Sequence, residues 1–163
     1  MISLPDGVNA NFADHVLKIK GPSGEVAITI SKLVKLTING KNVEVVADDL
    51  ALVNSTESLI NSACKGAKEA YKRSFKVIYA HFPISFEVKG KEITIKNFLG
   101  EKQARKAKLV GSTKFEAKGQ AVTVSGPDKY AVGQTIANLR SAMRIKDKDG
   151  RIFQDGLYDA ASE

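Results

Sequence analysis

The stretch VKLTINGKNVEVV (residues 34–46) is repeated in outline by TKFEAKGQAVTVS (residues 113–125), 79 residues further along the chain. Both stretches place apolar residues at alternate positions on either side of a glycine, Gly40 in the first and Gly119 in the second. Alternation with a period of two is typical of a strand with one buried face, and a glycine between two such runs favours a tight turn. The stretch therefore predicts a β-hairpin, and its recurrence indicates an internal duplication.

The similarity extends in both directions from these two hairpins. Downstream, the same offset aligns residues 49–63 with residues 128–142; upstream, residues 16–25 align with residues 92–101 at an offset of 76. Because the offset changes, the second half has three extra residues, which we expect between residues 101 and 114. Three matching segments in the same order predict two related halves.

Each half is predicted to contain strands first and then one helix. The fold class predicted is α+β, with two tandem related domains, each a small, mostly antiparallel sheet packed against one helix. We expect an N-terminal domain over residues 1–81 and a C-terminal domain over residues 82–163, joined near Ala80–Pro83. The C-terminal domain is expected to bind nucleic acid, because it carries most of the surplus of Lys and Arg.

The two helices are predicted from caps and from apolar residues at helical spacing. The first is expected from about Asp49 to about Lys72, and the second from an N-cap at Asp128 that follows Gly126-Pro127. The residues expected on their buried sides are Val53, Ile60, Cys64, Ala67 and Tyr71 in the first helix, and Val132, Ile136, Leu139 and Met143 in the second.

The composition suits a folded, basic protein. The chain has 163 residues, of which 43% are apolar, and 25 Lys and Arg against 18 Asp and Glu give a net charge of +7 and a pI near 9.4. The single cysteine, Cys64, excludes an internal disulfide and a cysteine-based zinc site, so we expect no metal and no cofactor. We find no signal peptide and no apolar run near the ~20 residues that span a bilayer, and therefore expect a soluble cytoplasmic protein.

The positive charge is concentrated in the second half. Residues 1–82 carry ten Lys and Arg against eight Asp and Glu, whereas residues 83–163 carry fifteen against ten. One cluster lies where the extra residues are expected, and its bases are Lys102, Arg105, Lys106, Lys108, Lys114 and Lys118, with Glu116 as the acid among them. Such a cluster favours a phosphate polymer as partner. The alternative is a solvated loop flanked by strand-edge lysines that discourage aggregation.

A second cluster follows the second helix. Its bases are Arg140, Arg144, Lys146, Lys148 and Arg151, and the flat or amide side chains that follow are Phe153, Gln154 and Tyr158. Bases interleaved with aromatic and amide groups suit RNA, because the bases neutralise phosphates and the flat groups stack on nucleobases or sugars. The alternative is that Phe153 and Tyr158 attach the tail to the core.

Gly133 lies one turn into the second helix, where a glycine costs about 1 kcal/mol relative to alanine. Close approach of a base, a phosphate or another backbone would explain it, with Gln134 and Thr135 supplying hydrogen bonds. Packing of the helix against the sheet is the alternative explanation.

Catalytic motifs are missing from the sequence. His15 is expected on the surface, His81 is expected to pack or cap a turn, and Cys64 is expected to be buried and inert. The sequence contains no nucleophile elbow and no phosphate-binding glycine loop of the G-x-x-x-x-G-K-[ST] type. We therefore expect a protein that is not an enzyme.

The segment GQTIANLRSAMRIKDKDGRIFQDGLY (residues 133–158) resembles the C-terminal signature of the large-subunit ribosomal protein L6 family, archaeal/eukaryotic type. Supporting matches are KGPSGE (20–25), YAHFPI (79–84) and NFLGEK (97–102). The sequence departs from the family pattern at Arg140, where the family has an acidic residue, and at Met143, where it has threonine. The resemblance covers nearly the whole chain.

This resemblance implies two tandem α+β domains and a structural role in the large ribosomal subunit. It implies binding to large-subunit rRNA, chiefly through the C-terminal domain, near the sarcin–ricin loop and the factor-binding region. Neighbouring ribosomal proteins and translational GTPase factors would be further partners. A protein–protein adaptor with incidental positive charge is the alternative function. The residues expected to bind RNA are Lys102, Arg105, Lys106, Lys108, Gly133, Gln134, Thr135, Arg144, Lys146, Lys148, Arg151, Phe153, Gln154 and Tyr158.

Overall fold

Strand pairing confirms the α+β class expected from the sequence. The structure, a computed structural model, describes residues 2–40, 42–80 and 82–160. Within these ranges it contains two α-helices and four antiparallel sheets. No helix of this described part combines the length and the apolarity needed to cross a membrane.

The first half folds into two three-stranded sheets and one helix. The sheet orders are β1-β6-β5 and β2-β3-β4. The helix is capped by the Asp49 side chain, which accepts a hydrogen bond from the Ala51 amide at 2.8 Å. The elements are β1 (Ile2–Ser3), β2 (Asn9–Ala13), β3 (Val16–Gly21), β4 (Gly24–Thr29), β5 (Lys35–Asn39), β6 (Asn42–Val46) and α1 (Leu50–Lys68).

The second half repeats this plan with one additional strand. Its sheet orders are β10-β9-β8 and β11-β12-β7-β13. A short 3₁₀ turn, Phe98–Gly100, lies between β9 and β10. The elements are β7 (Tyr71–Ile78), β8 (Ser85–Lys89), β9 (Glu92–Lys96), β10 (Arg105–Lys108), β11 (Lys114–Lys118), β12 (Ala121–Gly126), α2 (Lys129–Ala142) and β13 (Gly156–Asp159).

The described chain divides into two compact units, each with its own apolar core. The first unit comprises the residues up to Tyr71 together with Gly126–Lys129, and the second comprises Lys72–Ser125 together with the residues from Tyr130 onward. The change of unit falls after Tyr71, the first residue of β7, whereas the sequence places it after residue 81. The rest of β7 belongs to the second unit because the strand pairs with β12 and β13. Fully buried residues of the two cores are Leu17, Ile19, Val43, Ile60 and Ala67 in the first unit and Ile93, Ile95, Val122 and Val124 in the second.

The strand registers of the two halves confirm the duplication. Lys35 pairs with Val46 in the first half and Lys114 pairs with Ser125 in the second, so that both partners move by 79 residues. The glycines of the two turns, Gly40 and Gly119, have positive φ angles of 61° and 60°. The hairpin predicted from the opening stretch is therefore present in both halves.

The registers also locate the three extra residues. Ile19 pairs with Val26 in the first half, and Ile95 pairs with Arg105 in the second. Ile19 and Ile95 correspond at an offset of 76 residues, whereas their partners Val26 and Arg105 correspond at an offset of 79. The extra residues therefore lie in the connection between β9 and β10, residues 97–104, at the beginning of the window expected from the sequence.

One expectation about local structure is wrong. The first helix ends at Lys68 instead of Lys72, and Tyr71 begins β7 instead of lining the helix. Although Tyr71 is not part of the helix, its side chain lies beside it, because the hydroxyl donates to the Ser62 carbonyl of α1 at 2.9 Å. The first basic cluster is not a loop throughout, since most of its bases lie on β10 and β11.

Candidate nucleic-acid interface

The basic side chains of β10 lie on both faces of the strand. Because side chains alternate along a strand, Arg105 and Ala107 turn toward the protein while Lys106 and Lys108 turn toward solvent. Ala107 is buried, Arg105 is partly buried, and both lysines are exposed. Lys102 is exposed in the connection that precedes the strand.

Arg105 uses its guanidinium within the protein. Its Nε and Nη2 groups donate to the Glu101 carboxylate at 2.8 and 2.6 Å, and Nη1 donates to the carbonyls of Ala142 and Arg144 at 2.9 and 2.8 Å. Its Cζ atom also lies 4.4 Å from the centre of the buried Phe98 ring. The sequence predicts that Arg105 binds phosphate, but four of its five N–H donors have protein acceptors in this structure.

Thr135 is also engaged internally. It is fully buried, and its hydroxyl accepts a hydrogen bond from the Val110 amide at 3.0 Å. The Thr113 hydroxyl lies 3.3 Å from it. In this conformation RNA cannot reach Thr135 to form the expected hydrogen bond, and the side chain instead attaches the connection between β10 and β11 to α2.

Gly133 lies on the exposed face of α2. A Cβ atom built there would meet nothing within 4 Å, so packing of the helix against the sheet does not explain this glycine. Its neighbour Gln134 donates from Nε2 to the Asn138 side-chain oxygen at 3.1 Å, and Asn138 in turn donates to the Lys108 carbonyl at 3.0 Å. These bonds connect the exposed face of α2 to β10.

A shallow groove runs between β10 and α2. Its lining includes Lys106, Lys108, Asn138 and Ser141. The groove therefore combines cationic and hydrogen-bonding side chains. Gly133 is not among the residues that line it, but it is exposed on the same helix and has no side chain, so a ligand can approach the helix backbone closely there.

Acidic residues neutralise part of the sheet beside this groove. Lys106 lies 3.6 Å from the Glu92 carboxylate, and Lys96 pairs with Glu87. The hydrogen bond from Lys96 lowers the pKa of Glu87, and the charge of the same lysine lowers it further. The bases that make no ion pair within the described residues are more informative about a ligand, and they include Lys102, Lys108, Arg144, Lys146 and Arg151.

The second basic cluster follows α2 as an irregular segment. Arg144, Lys146, Lys148 and Arg151 are all exposed. Arg140, still on the helix, instead donates to both carboxylate oxygens of Asp159 at 2.9 Å.

The aromatic residues after this cluster are held by the protein but keep exposed surface. Phe153 is half-buried, and the Lys148 ammonium lies 4.7 Å from the centre of its ring. Tyr158 is 45% exposed and donates its hydroxyl hydrogen to the Gln154 carbonyl at 3.0 Å. Gln154 is exposed, and its amide lies 3.4 Å from the Arg151 carbonyl. Both aromatic residues therefore support the tail, and Tyr158 also presents ring surface to solvent.

Sequence reasoning missed Asp155, which fixes the start of β13. It is almost fully buried, and its carboxylate accepts a hydrogen bond from the Ala80 amide at 2.8 Å. No local pattern distinguishes this aspartate from the exposed acids around it, because its partner lies 75 residues away in the sequence.

The structure brings the two basic clusters together at Glu101. The hydrogen bond from Arg105 lowers the pKa of the Glu101 carboxyl, and Lys148 of the second cluster adds a smaller effect of the same sign. Arg105, in the first cluster, is bonded to the carbonyl of Arg144, in the second. Residues separated by about 40 positions therefore form one cationic surface.

The structure describes two of the residues considered for catalysis, Cys64 and His15, and they lie in different environments. Cys64 is buried, and this burial raises the pKa of its thiol, which disfavours the reactive thiolate. His15 is exposed in the β2–β3 turn, while His81 lies outside the described residues. Among the described residues, no group of three or more His, Cys, Asp and Glu side chains could hold a metal ion.

Comparisons with known proteins show that this chain is similar to the members of one family. A family model described as "Ribosomal protein L6" matches residues 82–156. Three similar proteins are each named large ribosomal subunit protein uL6. That of Methanocella arvoryzae is 40% identical over 96% of this chain and 93% of its own length. Those of Methanosarcina mazei and Methanospirillum hungatei JF-1 are 38% and 37% identical, over 96% and 97% of this chain and 93% of their own lengths.

Proposed function

Because the chain belongs to the ribosomal protein L6 family, we propose that it is a structural constituent of the large ribosomal subunit that binds large-subunit rRNA. The family is structural and non-enzymatic, and the large subunit lies in the cytoplasm. The rRNA contact is made mainly by the second unit, near the sarcin–ricin loop and the region that receives translation factors. These factors would then be transient partners.

The observation that carries the rRNA-binding proposal is the open surface at Gly133. A glycine inside a helix costs stability, and nothing in the described protein occupies the space above it. The same helix forms one wall of a groove that is lined by Lys106 and Lys108. A phosphate backbone fits these features, because it requires close approach and positive charge together.

The bases without an ion pair among the described residues support the same proposal. Such a base is free to neutralise a phosphate, and each phosphate neutralised releases counterions. The A-form major groove is too narrow for a helix, so we propose contacts with phosphates, 2′-hydroxyls and the minor groove. The bases assigned to phosphates on this ground are Lys102, Lys108, Arg144, Lys146, Lys148 and Arg151. Lys106, which is exposed and lies 3.6 Å from Glu92, is assigned with them because it lines the groove. The groups assigned to hydrogen bonding or stacking are Gln134, Phe153, Gln154 and Tyr158.

The first unit differs from the second in charge, which supports contacts with neighbouring ribosomal proteins. It is close to neutral, whereas large apolar side chains are exposed in both units, among them Leu33 and Leu50 in the first and Tyr130 and Ile152 in the second. Exposed apolar surface favours protein partners. In the first unit this surface comes without a large surplus of positive charge, which favours the adaptor alternative there, as an activity beside rRNA binding.

Sedimentation with ribosomes tests the proposed function. The tagged full chain should sediment with large subunits in a salt wash that removes loosely bound proteins, and it should protect one rRNA segment from chemical probing. Protein that remains at the top of the gradient, or that sediments without protecting any rRNA segment, would contradict the proposal.

A further inference from the structure

Arg105 lies at the centre of the cationic surface, although its own charge is turned inward. We infer that Arg105 is a positioning residue, which fixes the direction of the chain after α2 and thereby places Arg144 and Lys146 for rRNA. The effect of Arg105 on rRNA affinity rests on the proposed function. The ordering of residues 143–148 is inferred from the contacts of Arg105 alone.

The end of a helix leaves carbonyl groups without intrahelical partners. In the first unit, Lys65 is the counterpart of Arg144 at the offset of 79, and its carbonyl accepts from the Glu69 amide within the continuing turn. Helix α2 has already ended at Ala142, so Arg144 lies outside it. The Arg144 carbonyl therefore needs a donor from elsewhere, and Arg105 supplies it.

The same connection caps the helix in both units, by different chemistry. In the first unit, the β3–β4 turn places Ser23 so that its amide donates to the Ala67 carbonyl and its hydroxyl donates to the Lys68 carbonyl, both at 2.9 Å. In the second unit, the lengthened connection between β9 and β10 leads into Arg105, which bonds the carbonyls of Ala142 and Arg144.

The counterpart of Arg105 in the first unit is the buried Val26, because each pairs with the equivalent residue of the preceding strand. The second unit thus has a long cation where the first has a core residue. Two residues of the preceding connection hold this cation: Glu101 by two hydrogen bonds and Phe98 by its ring.

Only arginine fits this arrangement. The planar guanidinium donates along fixed directions to a carboxylate on one side and to two carbonyls on the other. A lysine carries the same charge, but its three donors share one nitrogen and cannot reach both sides. Arg105→Lys therefore keeps the positive charge but loses the hydrogen bonds that hold the chain after α2. The variant thus distinguishes direct phosphate binding, which needs only the charge, from a positioning role, which needs these bonds.

The experiment measures binding of the full chain to a transcript of the large-subunit rRNA segment that contains the sarcin–ricin loop, across a salt series. Arg105→Lys should lose about tenfold in affinity with the salt slope of the wild-type protein. In the free protein, amide hydrogen exchange at residues 143–148 should become faster. Arg73→Lys, at an exposed arginine on β7, is the matched control and should change neither quantity.

A second variant covers the case in which Arg105→Lys fails to fold. Glu101→Gln keeps the charge of Arg105 and its bonds to the two carbonyls, and should give smaller changes in the same directions. An Arg105→Lys protein with wild-type affinity and exchange would overturn the inference. So would an Arg105→Met protein whose salt slope is shallower by the equivalent of one phosphate while Arg105→Lys keeps the wild-type slope.

Failure of the proposed function is distinguishable from failure of this inference. A wild-type protein that does not bind the transcript would contradict rRNA binding. Exchange at residues 143–148 would still decide whether Arg105 fixes the segment.

Discussion

Thr135 and Gly133 lie two residues apart on one helix, but one is buried and the other is exposed, so their roles differ. Thr135 is fully buried and holds the connection after β10, whereas Gly133 faces open space. Both residues belong to the segment that resembles the family signature. A shared motif therefore contains residues that support the fold as well as residues that are free to meet a ligand.

Gly133→Ala should separate stability from binding. The variant should raise the free energy of unfolding by about 0.5–1 kcal/mol, because alanine favours a helix and the added methyl group meets no atom. The same methyl group would occupy the space assigned to rRNA, so affinity for the transcript should fall. Urea denaturation and filter binding measure the two effects.

The control for this variant is Asn54→Ala, since Asn54 is the exposed counterpart of Gly133 in the first unit at the offset of 79. It should leave rRNA affinity unchanged. A Gly133→Ala protein that is more stable and binds rRNA as well as the wild type does would show that this face of α2 is not used.

Glu101 should contribute a pH-dependent part of the stability. Its pKa is lowered from an ordinary value of 4.5, first by the hydrogen bond from Arg105. A carboxyl group whose pKa is lower in the folded protein stabilises the fold above its unfolded pKa, and this contribution disappears as the pH falls through the folded pKa. The stability difference between the wild type and Glu101→Gln should therefore be largest near neutral pH and shrink below about pH 4.

Urea denaturation of both proteins from about pH 7 down to about pH 3 measures this difference. Glu87, whose pKa is also lowered, titrates in both proteins and cancels in the comparison. A stability difference that stays constant over this range would contradict the ion pair between Glu101 and Arg105.

At the scale of secondary-structure elements, the sequence predicted those elements whose signals are local. Helix α1 begins where Asp49 supplies a cap, and the stripe expected on the second helix is buried at Val132, Ile136, Leu139 and Met143. The hairpins are found because a glycine with a positive φ angle separates alternating runs. Each of these signals lies within a few residues of the feature that it predicts.

The elements that were missed depend on distant residues. Tyr71 continues the helical spacing of Cys64 and Ala67, so the sequence extends α1 into what is strand β7. Strand β10 has Ala107 as its one buried side chain, and its identity as a strand comes from pairing with β9. The role of Arg105 depends on carbonyls 37 and 39 residues away, and no local pattern indicates them.

The connection between β10 and β11 should depend on the Thr135 hydroxyl. Thr135→Val removes the acceptor of the Val110 amide and should destabilise the protein by roughly 1–3 kcal/mol, since a polar group in a partly buried site loses its partner. Thr135→Ser keeps the hydroxyl and should cost less. Chemical denaturation of the two variants measures both values; equal losses would mean that the methyl group, and not the hydroxyl, is what matters.

At the scale of the whole chain, duplication produced two units with different surfaces. The registers of the two halves correspond strand by strand, with a three-residue difference confined to the connection between β9 and β10. The first unit remained close to neutral, while the second acquired most of the positive charge. The strand pairing is common to both halves, whereas most of the additional bases of the second unit are exposed.

The salt dependence of rRNA binding shows which of the two units contacts the phosphates. In one variant of the full chain, four exposed bases of the second unit become glutamine: Lys106, Lys108, Arg144 and Lys146. In the matched control, four exposed lysines of the first unit are changed in the same way: Lys18, Lys20, Lys32 and Lys35.

Both variants lose the same net charge, so they differ only in where it is lost. We expect the slope of log affinity against log salt to become shallower by about 0.7–0.9 for each phosphate that the second-unit variant no longer neutralises. The first-unit control should keep the wild-type slope. Equal slopes for the two variants would contradict the claim that the second unit is the one that binds rRNA.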